Sequence, residues 1–346
     1  MKLSAIIGAL SLGLLAFGSS ATWAAAGPVP VSIVQDPNAV GTPVGKRGPT
    51  TVKFALEAVE VEGILDAAAK TSFQYWTFNG KVPGPMLRAR VGDTVEITLK
   101  NSKTSNLTHN IDLHAVWGQG GGAEATVVAP GEEKSFVFKA TTPGIFVYHC
   151  ATTIIPQHIS SGMYGMILIE PEGGLPKVDK EFYIMQGDMY VEGAGSHKEF
   201  SQDKMMAEQP TNVVMNGSAA ALAGAPMKVK VGDNVRIFFG VGGPNLTSAF
   251  HGIGTIWDKV YPEGAIDEKS VHHNVQTTVV PTGGAAMVEF KARVPAKYIL
   301  VDHALSRLMK GNVAIIVAEG PEQPELYRKG KLGDKAAAPA APAKKK

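Results

Sequence analysis

Short runs of alternating apolar and polar residues cover most of the chain, and each run ends in a cluster of Gly, Pro, Asn or Asp. Examples are "TVEITLKNS", "KSFVFKATTPGIFVYHC", "VRIFFGVGGPN" and "MVEFKARVPAKYILVDH". A period of two, with β-branched and aromatic residues between turn signals, predicts β-strands. The best helical candidates, at 198–208 and 304–310, are short. The pattern therefore predicts an all-β fold.

The strand pattern occurs twice along the chain. Three segments of the first half return in the second: "RVGDTVEITL" (90–99) as "KVGDNVRIFF" (230–239), "NLTHNIDLH" (106–114) as "NLTSAFHGI" (245–253), and "APGEEKSFVFKATTPGIFVYHC" (129–150) as "VPTGGAAMVEFKARVPAKYILVD" with one extra residue. Internal repetition of this kind indicates two copies of one structural unit. The chain is therefore predicted to contain two tandem β-sandwich domains.

Composition places the domain boundaries. A Gly- and Pro-rich loop at 170–180 has the character of an interdomain connection. Domain 1, with an N-terminal extension, is expected at 27–172, and domain 2 at 173–325. The last stretch, 326–346, ends in "DKAAAPAAPAKKK", which has too few large apolar residues to pack. A disordered tail is expected there.

The first 26 residues have the order of a secretory signal peptide. Lys2 supplies the positive charge, residues 3–17 are apolar, and a run of small residues ends at Ala26. The apolar run is shorter than the roughly 20 residues that cross a bilayer, and no second run follows it. The mature chain is therefore expected to be exported, with cleavage near Ala26 and no integral membrane segment afterwards.

Charge and cysteine content narrow the function further. The chain has 33 basic and 31 acidic residues, a net charge of +2. It has no basic run interleaved with aromatic residues, so nucleic acid is not an expected partner. The single cysteine cannot form a disulfide within the chain, which leaves Cys150 as a free thiol, an intermolecular bridge or a metal ligand.

The neighbours of the cysteine favour a metal ligand. In "YHCATTIIPQHISSGM", Cys150 is followed by His158 and Met163. A thiolate, two imidazoles and a weak axial thioether are the ligands of a type 1 copper site. Cys150 ends a predicted strand, and the other two lie in the following loop and turn, so three ligands can converge from one local unit. The second imidazole is expected from "THNIDLH", as His109 or His114.

Alternation along the strands predicts a second metal site. His149 and Cys150 are adjacent, so their side chains point to opposite faces of the strand. His109 and His114 also differ in face if their segment is extended, which leaves one histidine of each pair on the outer face. Three imidazoles would suit a catalytic copper or zinc with an open position. Candidates for the third imidazole are His251, His303, His272, His273 and His197. The last three lie in polar segments and are expected on loops.

The second repeat supplies further chemistry. "VDH", ending at His303, aligns with "HCA", so Asp302 stands where the first repeat has Cys150. Domain 2 has therefore lost the sulfur ligand and kept a histidine. His251 aligns with Asp112, the acid between the two histidines of "HNIDLH". A strand-edge acid exposed to water is the alternative interpretation of Asp112, but the aligned pair favours two acid–base groups, one from each domain.

These motifs together resemble those of the copper-containing nitrite reductases, a family of two-domain cupredoxin enzymes. The similarity runs from "YWTFNGKVPGPMLRARVGDTVEI" to "LVDHALSRLMKGNVAII", nearly all of the mature chain. "GQGGGA" resembles the branch that includes outer-membrane-attached enzymes of some Gram-negative bacteria. The resemblance implies two tandem cupredoxin-like Greek-key β-sandwich domains, two coppers per subunit and a homotrimer.

The resemblance also implies a role for each site residue. The type 1 copper ligands fall on His109, Cys150, His158 and Met163. The type 2 copper ligands fall on His114, His149 and, from the neighbouring subunit, His303. The acid–base pair falls on Asp112 and His251, and the residue that shapes the substrate pocket falls on Ile253.

The implied activity is the dissimilatory, one-electron reduction of nitrite to nitric oxide and water, at a type 2 copper that receives electrons from the type 1 copper. A cytochrome c or small cupredoxin is the expected electron donor. The leader contains no cysteine to lipidate, so a free periplasmic enzyme is expected. Two alternatives are a multicopper oxidase, whose several His-x-His pairs the chain lacks, and a copper protein that only carries electrons, which would not need the outer histidines.

Overall fold

The computed structural model describes residues 29–332. The predicted leader, 1–26, and residues 333–346 of the predicted tail lie outside this range. The described part of the chain forms 21 β-strands, three short α-helices and five 3-10 turns. None of its helices is both long and apolar enough to cross a membrane. The strand content confirms the predicted all-β fold.

The first repeat contributes eight strands. They are β1 (Thr51–Asp66), β2 (Thr71–Phe78), β3 (Leu87–Arg90), β4 (Thr94–Asn101), β5 (Asp112–Leu113), β6 (Glu133–Lys139), β7 (Gly144–His149) and β8 (Tyr164–Glu170). Helix α1 (Ile155–Ser160) connects β7 to β8, and 3-10 turns at Gln119–Gly122 and Glu124–Thr126 precede β6.

The second repeat contributes thirteen strands. They are β9 (Lys180–Met189), β10 (Val191–Glu192), β11 (His197–Phe200), β12 (Asn212–Met215), β13 (Met227–Lys230), β14 (Asn234–Gly243), β15 (Ser248–Ile253), β16 (Trp257–Tyr261), β17 (His272–Val275), β18 (Thr277–Val280), β19 (Ala285–Lys291), β20 (Ala296–Asp302) and β21 (Val313–Glu319). The helices are α2 (Gln202–Met206) and α3 (Ala221–Gly224), and 3-10 turns lie at Pro262–Gly264, Glu268–Ser270 and Leu305–Lys310.

The strands form two sandwiches with one topology. The first packs sheet β10-β11-β2-β1-β4-β6 against β3-β8-β7-β5, and the second packs β12-β9-β14-β19-β16-β17 against β13-β21-β20-β15-β18. The parallel pairs β1–β4 and β3–β8 recur as β9–β14 and β13–β21. Parallel neighbours require crossover connections, so the mixed order is that of a Greek-key sandwich. The tandem sandwiches predicted from the repeat are confirmed.

Three apolar cores hold the molecule together. One lies between the sheets of the first sandwich, around Ile97 and Ile167, and one between the sheets of the second, around Phe239 and Trp257. The third joins the two sandwiches and contains side chains from both, such as Met166 of β8. Burial of apolar surface between the sandwiches stabilises one arrangement of the two.

One hairpin crosses from the second repeat to the first. Strand β11 pairs in parallel with β2, with His197 opposite Ser72, so a sheet of the first sandwich includes residues beyond 172. The domain limits of 27–172 and 173–325 stay a prediction. Of the two helical candidates, 198–208 begins as strand β11 and is helical only at Gln202–Met206, and 304–310 forms a 3-10 turn.

Candidate metal centres

The thiol lies at the centre of a buried cluster. Cys150 directly follows β7, and its Sγ lies 3.3 Å from Nδ1 of His158 and 3.9 Å from Nδ1 of His109. All three side chains are buried, and the three donor atoms lie within 4.8 Å of one another. The chain therefore gathers a sulfur and two imidazole nitrogens at one point below the surface.

Local backbone contacts place these donors. Met163 accepts a hydrogen bond from Cys150 N–H at 3.1 Å and donates its own N–H to the carbonyl of His158 at 3.1 Å. Met163 immediately precedes β8 and is fully buried in the same core as Cys150. His158 lies on α1 rather than on the loop expected from the sequence, because Pro156 in the first turn is compatible with a helix start. His109 is held by an isolated bridge to Val128.

Burial controls the protonation of the donors. It lowers the pKa of His109 and of His158 to about 4, and it raises the pKa of the Cys150 thiol. Both imidazoles are therefore neutral at pH 7 and carry a lone pair. The thiol loses its proton only if a cation compensates the buried thiolate. A soft metal ion supplies that compensation, so the donor set fits copper.

The structure also shows neighbours that the sequence did not single out. Asn110 Oδ1 accepts a hydrogen bond from Ala151 N–H at 2.6 Å and lies 3.6 Å from Cys150 Sγ. The Trp76 ring packs on His158 with a centroid distance of 4.6 Å. Glu60 Oε1 lies 3.9 Å from the buried Nε2 of His109. The only sequence signal for any of these is that Asn110 adjoins His109.

A second cluster of donors lies on the other side of the same strand. Nε2 of His114 and Nε2 of His149 are 3.1 Å apart, and Asp112 Oδ2 lies 3.9 Å from Nε2 of His149. Asp112 and His149 face each other across the β5–β7 pair. Thus His149 and Cys150, adjacent in sequence, belong to different clusters, as strand alternation predicts. The extended segment expected between His109 and His114 is reduced to the two residues of β5.

Hydrogen bonding sets the free nitrogen of this cluster. Nδ1 of His149 lies 3.1 Å from the carbonyl oxygen of Cys150, so Nδ1 carries the proton and Nε2 presents its lone pair. Burial and the neighbouring His149 lower the pKa of His114. Imidazole nitrogens with free lone pairs next to a carboxylate are ligands for a divalent ion.

A glycine-rich loop lies directly over Asp112. Gly121, in the 3-10 turn after β5, has a φ of +62°, and a Cβ atom there would overlap Asp112 Oδ1 and approach the carbonyl of Leu113 to 2.9 Å. Only glycine satisfies both the left-handed backbone and the close approach. The Asp112 side chain is 24% exposed. The "GQGGGA" segment therefore covers the acid and leaves one side of it open.

The remaining site residues of the sequence prediction lie together in the second sandwich. His251 and His303 pack edge to face, with ring centroids 5.1 Å apart. Nδ1 of His251 donates to the carbonyl of Gln276 at 2.7 Å, which leaves Nε2 free. Ile253, two residues further along β15, is 41% exposed. Within the described chain His303 is not part of the His114–His149 cluster.

The other histidine candidates belong to neither of the two donor clusters among the described residues. His272 and His273 are exposed on strand β17, not on the loop expected for them. His197 lies on β11, also expected as a loop, where its Nδ1 is 2.9 Å from Glu62 Oε1. None of these three imidazoles belongs to a cluster of possible metal ligands among the described residues.

Comparison with known proteins places this arrangement in a family. The multicopper oxidase family model matches residues 62–174, which include the Cys150 cluster. The copper-containing nitrite reductase of Neisseria meningitidis serogroup A is 50% identical over 303 residues, 85% of this chain and 77% of that protein. The corresponding protein of Cereibacter sphaeroides is 36% identical over 299 residues, 80% of this chain and 79% of that protein.

A solved structure agrees with the sequence relatives. The copper nitrite reductase from Nitrosomonas europaea superposes with a TM-score of 0.70 at 36% identity, over 80% of this chain and 96% of that chain. Identity of this level across both sandwiches exceeds what a shared fold alone would give. The resemblance noted in the motifs is confirmed: the chain belongs to the family of copper-containing nitrite reductases.

Proposed function

We propose that this protein reduces nitrite by one electron, consuming two protons, to nitric oxide and water. The observation that carries the proposal is the pair of donor clusters on opposite sides of one strand end, one centred on Cys150 and the other on His149. The peptide bond between these two residues, and the hydrogen bond from His149 Nδ1 to the Cys150 carbonyl, join the clusters. The two metal sites of a reductase are thereby connected within a single strand.

Two coppers per chain follow from the donor chemistry. His109, Cys150, His158 and Met163 would hold the type 1 copper. His114 and His149 would hold the type 2 copper, together with His303 of a neighbouring copy of the chain. The resemblance to the family implies that this third ligand comes from another copy, and in its own chain His303 packs against His251 and lies outside the His114–His149 cluster. A ring of three copies, a homotrimer, completes three such sites.

When bound, copper at the first site would exchange electrons with a donor protein, and copper at the second would act as a Lewis acid toward nitrite. Asp112 would hydrogen-bond a nitrite oxygen and deliver one proton. His251, whose Nδ1 donates to the carbonyl of Gln276, would supply or relay the second proton. Ile253, next but one to His251, would limit the space available to the substrate.

The setting of the reaction is part of the same proposal. A cytochrome c or small cupredoxin would deliver the electron, and the enzyme would work in the periplasm after removal of residues 1–26. A multicopper oxidase activity is not supported, since Ala151 follows the thiol and the chain contains no His-x-His pair.

Copper counting combined with an anaerobic assay tests the proposal. Copper-loaded protein, supplied with nitrite and a reduced dye, should release nitric oxide and contain two coppers per chain. One copper per chain and no nitric oxide would indicate an electron carrier instead. Four coppers and oxygen uptake would indicate an oxidase. Light scattering of the same sample should give three times the mass of the mature chain, and a monomer that retains full activity would contradict the assignment of His303.

A further inference from the structure

Each sandwich has a corner that joins two antiparallel strands, and the two corners occupy the same place in the topology but differ in length, backbone and side chains. In domain 1 the corner runs from Cys150, the residue after β7, through α1 to Met163, just before β8. In domain 2 it runs from Asp302, at the end of β20, through a 3-10 turn to Asn312, just before β21. The two corners are therefore topological equivalents.

The other two positions of the corner also correspond. His158 lies five residues before Met163, and Arg307 lies five residues before Asn312. In the repeated "NLT" segment, Ser248 stands where domain 1 has His109. Each of the four positions expected to bind the type 1 copper in domain 1 is thus occupied in domain 2 by a polar or charged residue of another kind.

The carboxylate of Asp302 is fully buried and engaged on both oxygens. Oδ1 accepts the backbone N–H of Ala249 at 3.2 Å and that of Ala304 at 3.0 Å. Oδ2 accepts hydrogen bonds from Arg307 Nη1 and from Gln186 Nε2. A carboxylate with four donors around it is held in one position.

The partners of Asp302 are themselves tied together. Asn312 Oδ1 accepts the backbone N–H of Asp302 at 2.8 Å, and its Nδ2 donates to Gln186 Oε1 at 3.1 Å. Arg307 Nη1 also donates to the carbonyl of Thr247 at 2.5 Å. The cluster therefore links β9, β15, β20 and the 3-10 turn. It offers no metal site, because both Asp302 oxygens are engaged and a guanidinium already lies beside them.

His303 is the next residue after this cluster. Its backbone N–H donates to the carbonyl of Ala249 at 2.8 Å, the same residue whose N–H reaches Asp302. The residue on its other side, Ala304, donates to Asp302 as well. The backbone of His303 is thus fixed on both sides of the residue, while the ring itself is exposed and packs edge to face on His251.

We propose that Asp302, Arg307, Asn312 and Gln186 form a positioning cluster that holds His303 in the orientation needed to complete the type 2 copper site of a neighbouring copy. This inference rests on the proposed function. A buried ion pair adds little net stability over apolar packing of the same volume. Its hydrogen-bond directions do specify one geometry, however, and a shared metal site requires that geometry of a ligand on a turn.

The substitution Asp302→Asn tests the cluster. The amide keeps the shape of the side chain, but one oxygen becomes an NH₂ group that faces N–H donors in either orientation. We expect type 2 copper to bind about 10–100-fold more weakly, the range typical of lost outer-shell partners. The type 2 electron paramagnetic resonance signal should change, while the type 1 absorption should keep its position and intensity.

Asp258→Asn is the matched control. It breaks a partly exposed Asp–Arg pair of the same domain, in which Asp258 contacts Arg293 at 2.6 Å and also accepts the backbone N–H of Lys291 at 2.7 Å. This variant should bind type 2 copper as the wild type does. Wild-type copper affinity and an unchanged type 2 signal in Asp302→Asn would overturn the proposal, even if the variant unfolds at a lower temperature.

A second variant decides the case if Asp302→Asn fails to fold, as judged by loss of the type 1 absorption. Arg307→Lys keeps the charge but lacks the planar fork of the guanidinium, so type 2 affinity should still fall several-fold, and an unchanged affinity would overturn the proposal. The wild type separates this inference from the proposed function. A wild type that binds a single copper contradicts both, whereas two coppers in the wild type together with wild-type copper affinity in both variants contradict the positioning cluster alone.

Discussion

The corners after β7 and β20 differ in the cation that neutralises the side chain at the start of each corner. In domain 1 this residue is Cys150, surrounded by neutral imidazoles and dependent on a metal ion to become a thiolate. In domain 2 it is Asp302, and the cation is the guanidinium of Arg307. The comparison shows that the same position in the topology can hold an anion neutralised by a side chain, as at Asp302, or a group that requires a metal ion to become an anion, as at Cys150.

Because of this difference, the two corners are suited to different functions. A metal-closed corner can change oxidation state, whereas an ion pair cannot, so only the Cys150 corner is suited to electron exchange. The Asp302 corner is permanently closed and presents its neighbour, His303, from a fixed backbone. The predictions below test this division, beginning with the largest expected effect.

Removing the acid–base group of either domain should have the largest effect. We expect Asp112→Asn and His251→Ala each to lower turnover by roughly two to four orders of magnitude, because each would remove one of the two proposed proton donors to nitrite. Steady-state nitric oxide production measures the loss, and copper content of two per chain is the control. Full activity in either variant would refute the role given to that residue. If only one of the two variants loses activity, the two domains do not each contribute an acid–base group.

Copper removal should affect the two corners unequally. Loss of a ligand present at 100 times its dissociation constant removes about 3 kcal/mol of stability, and the corner of domain 1 would lose the ion that joins its donor side chains. We expect faster hydrogen exchange at 155–163 in the copper-free protein and little change at 305–312, measured by mass spectrometry. Equal loss of protection in both segments would contradict the view that the second corner is closed without metal.

Asp188, a second buried acid of domain 2, tests how much a paired cation stabilises a buried carboxylate. Asp188 accepts N–H groups of Asn245 and Leu246, but its Oδ1 has no partner, and burial raises its pKa to about 6. The folded state therefore binds more protons than the unfolded state between about pH 4 and 6, and the stability contributed by Asp188 falls as pH rises through 6.

Replacing this acid should therefore stabilise the protein at neutral pH only. We expect the free energy of unfolding of Asp188→Asn to exceed that of the wild type by about 1–3 kcal/mol at pH 7.5 and to be nearly equal to it at pH 4. Denaturant unfolding at the two pH values measures the difference. A constant difference across pH would show that Asp188 does not titrate in this range.

The smallest change in stability is expected for Met163→Leu. Leu and Met have similar volumes, so the core should lose less than about 1.5 kcal/mol. The loss of the axial thioether should still alter the colour and reduction potential of the type 1 site, while type 2 copper stays bound. Visible absorption and a redox titration check this, and an unchanged spectrum would remove Met163 from the ligand set.

Local sequence was sufficient to predict the elements that depend on neighbouring residues. Alternation of apolar residues predicted the strands, and the repeated segments predicted two like sandwiches, since periodicity and turn chemistry are local properties. The adjacency of His149 and Cys150 predicted two clusters on opposite faces for the same reason. The assignment of particular residues to each copper stays a prediction.

Tertiary structure alone decided what lies around those residues. The contact of Asp302 with Gln186 joins strands 116 residues apart, and Asn110 reaches Cys150 from 40 residues away. Such partners are chosen by the packing of sheets, which no local pattern encodes. The sequence alone thus determined that Asp302 of domain 2 aligns with Cys150 of domain 1. Only the tertiary structure showed that Asp302 pairs with Arg307, because an ion pair forms where folding brings two charges together in a buried place.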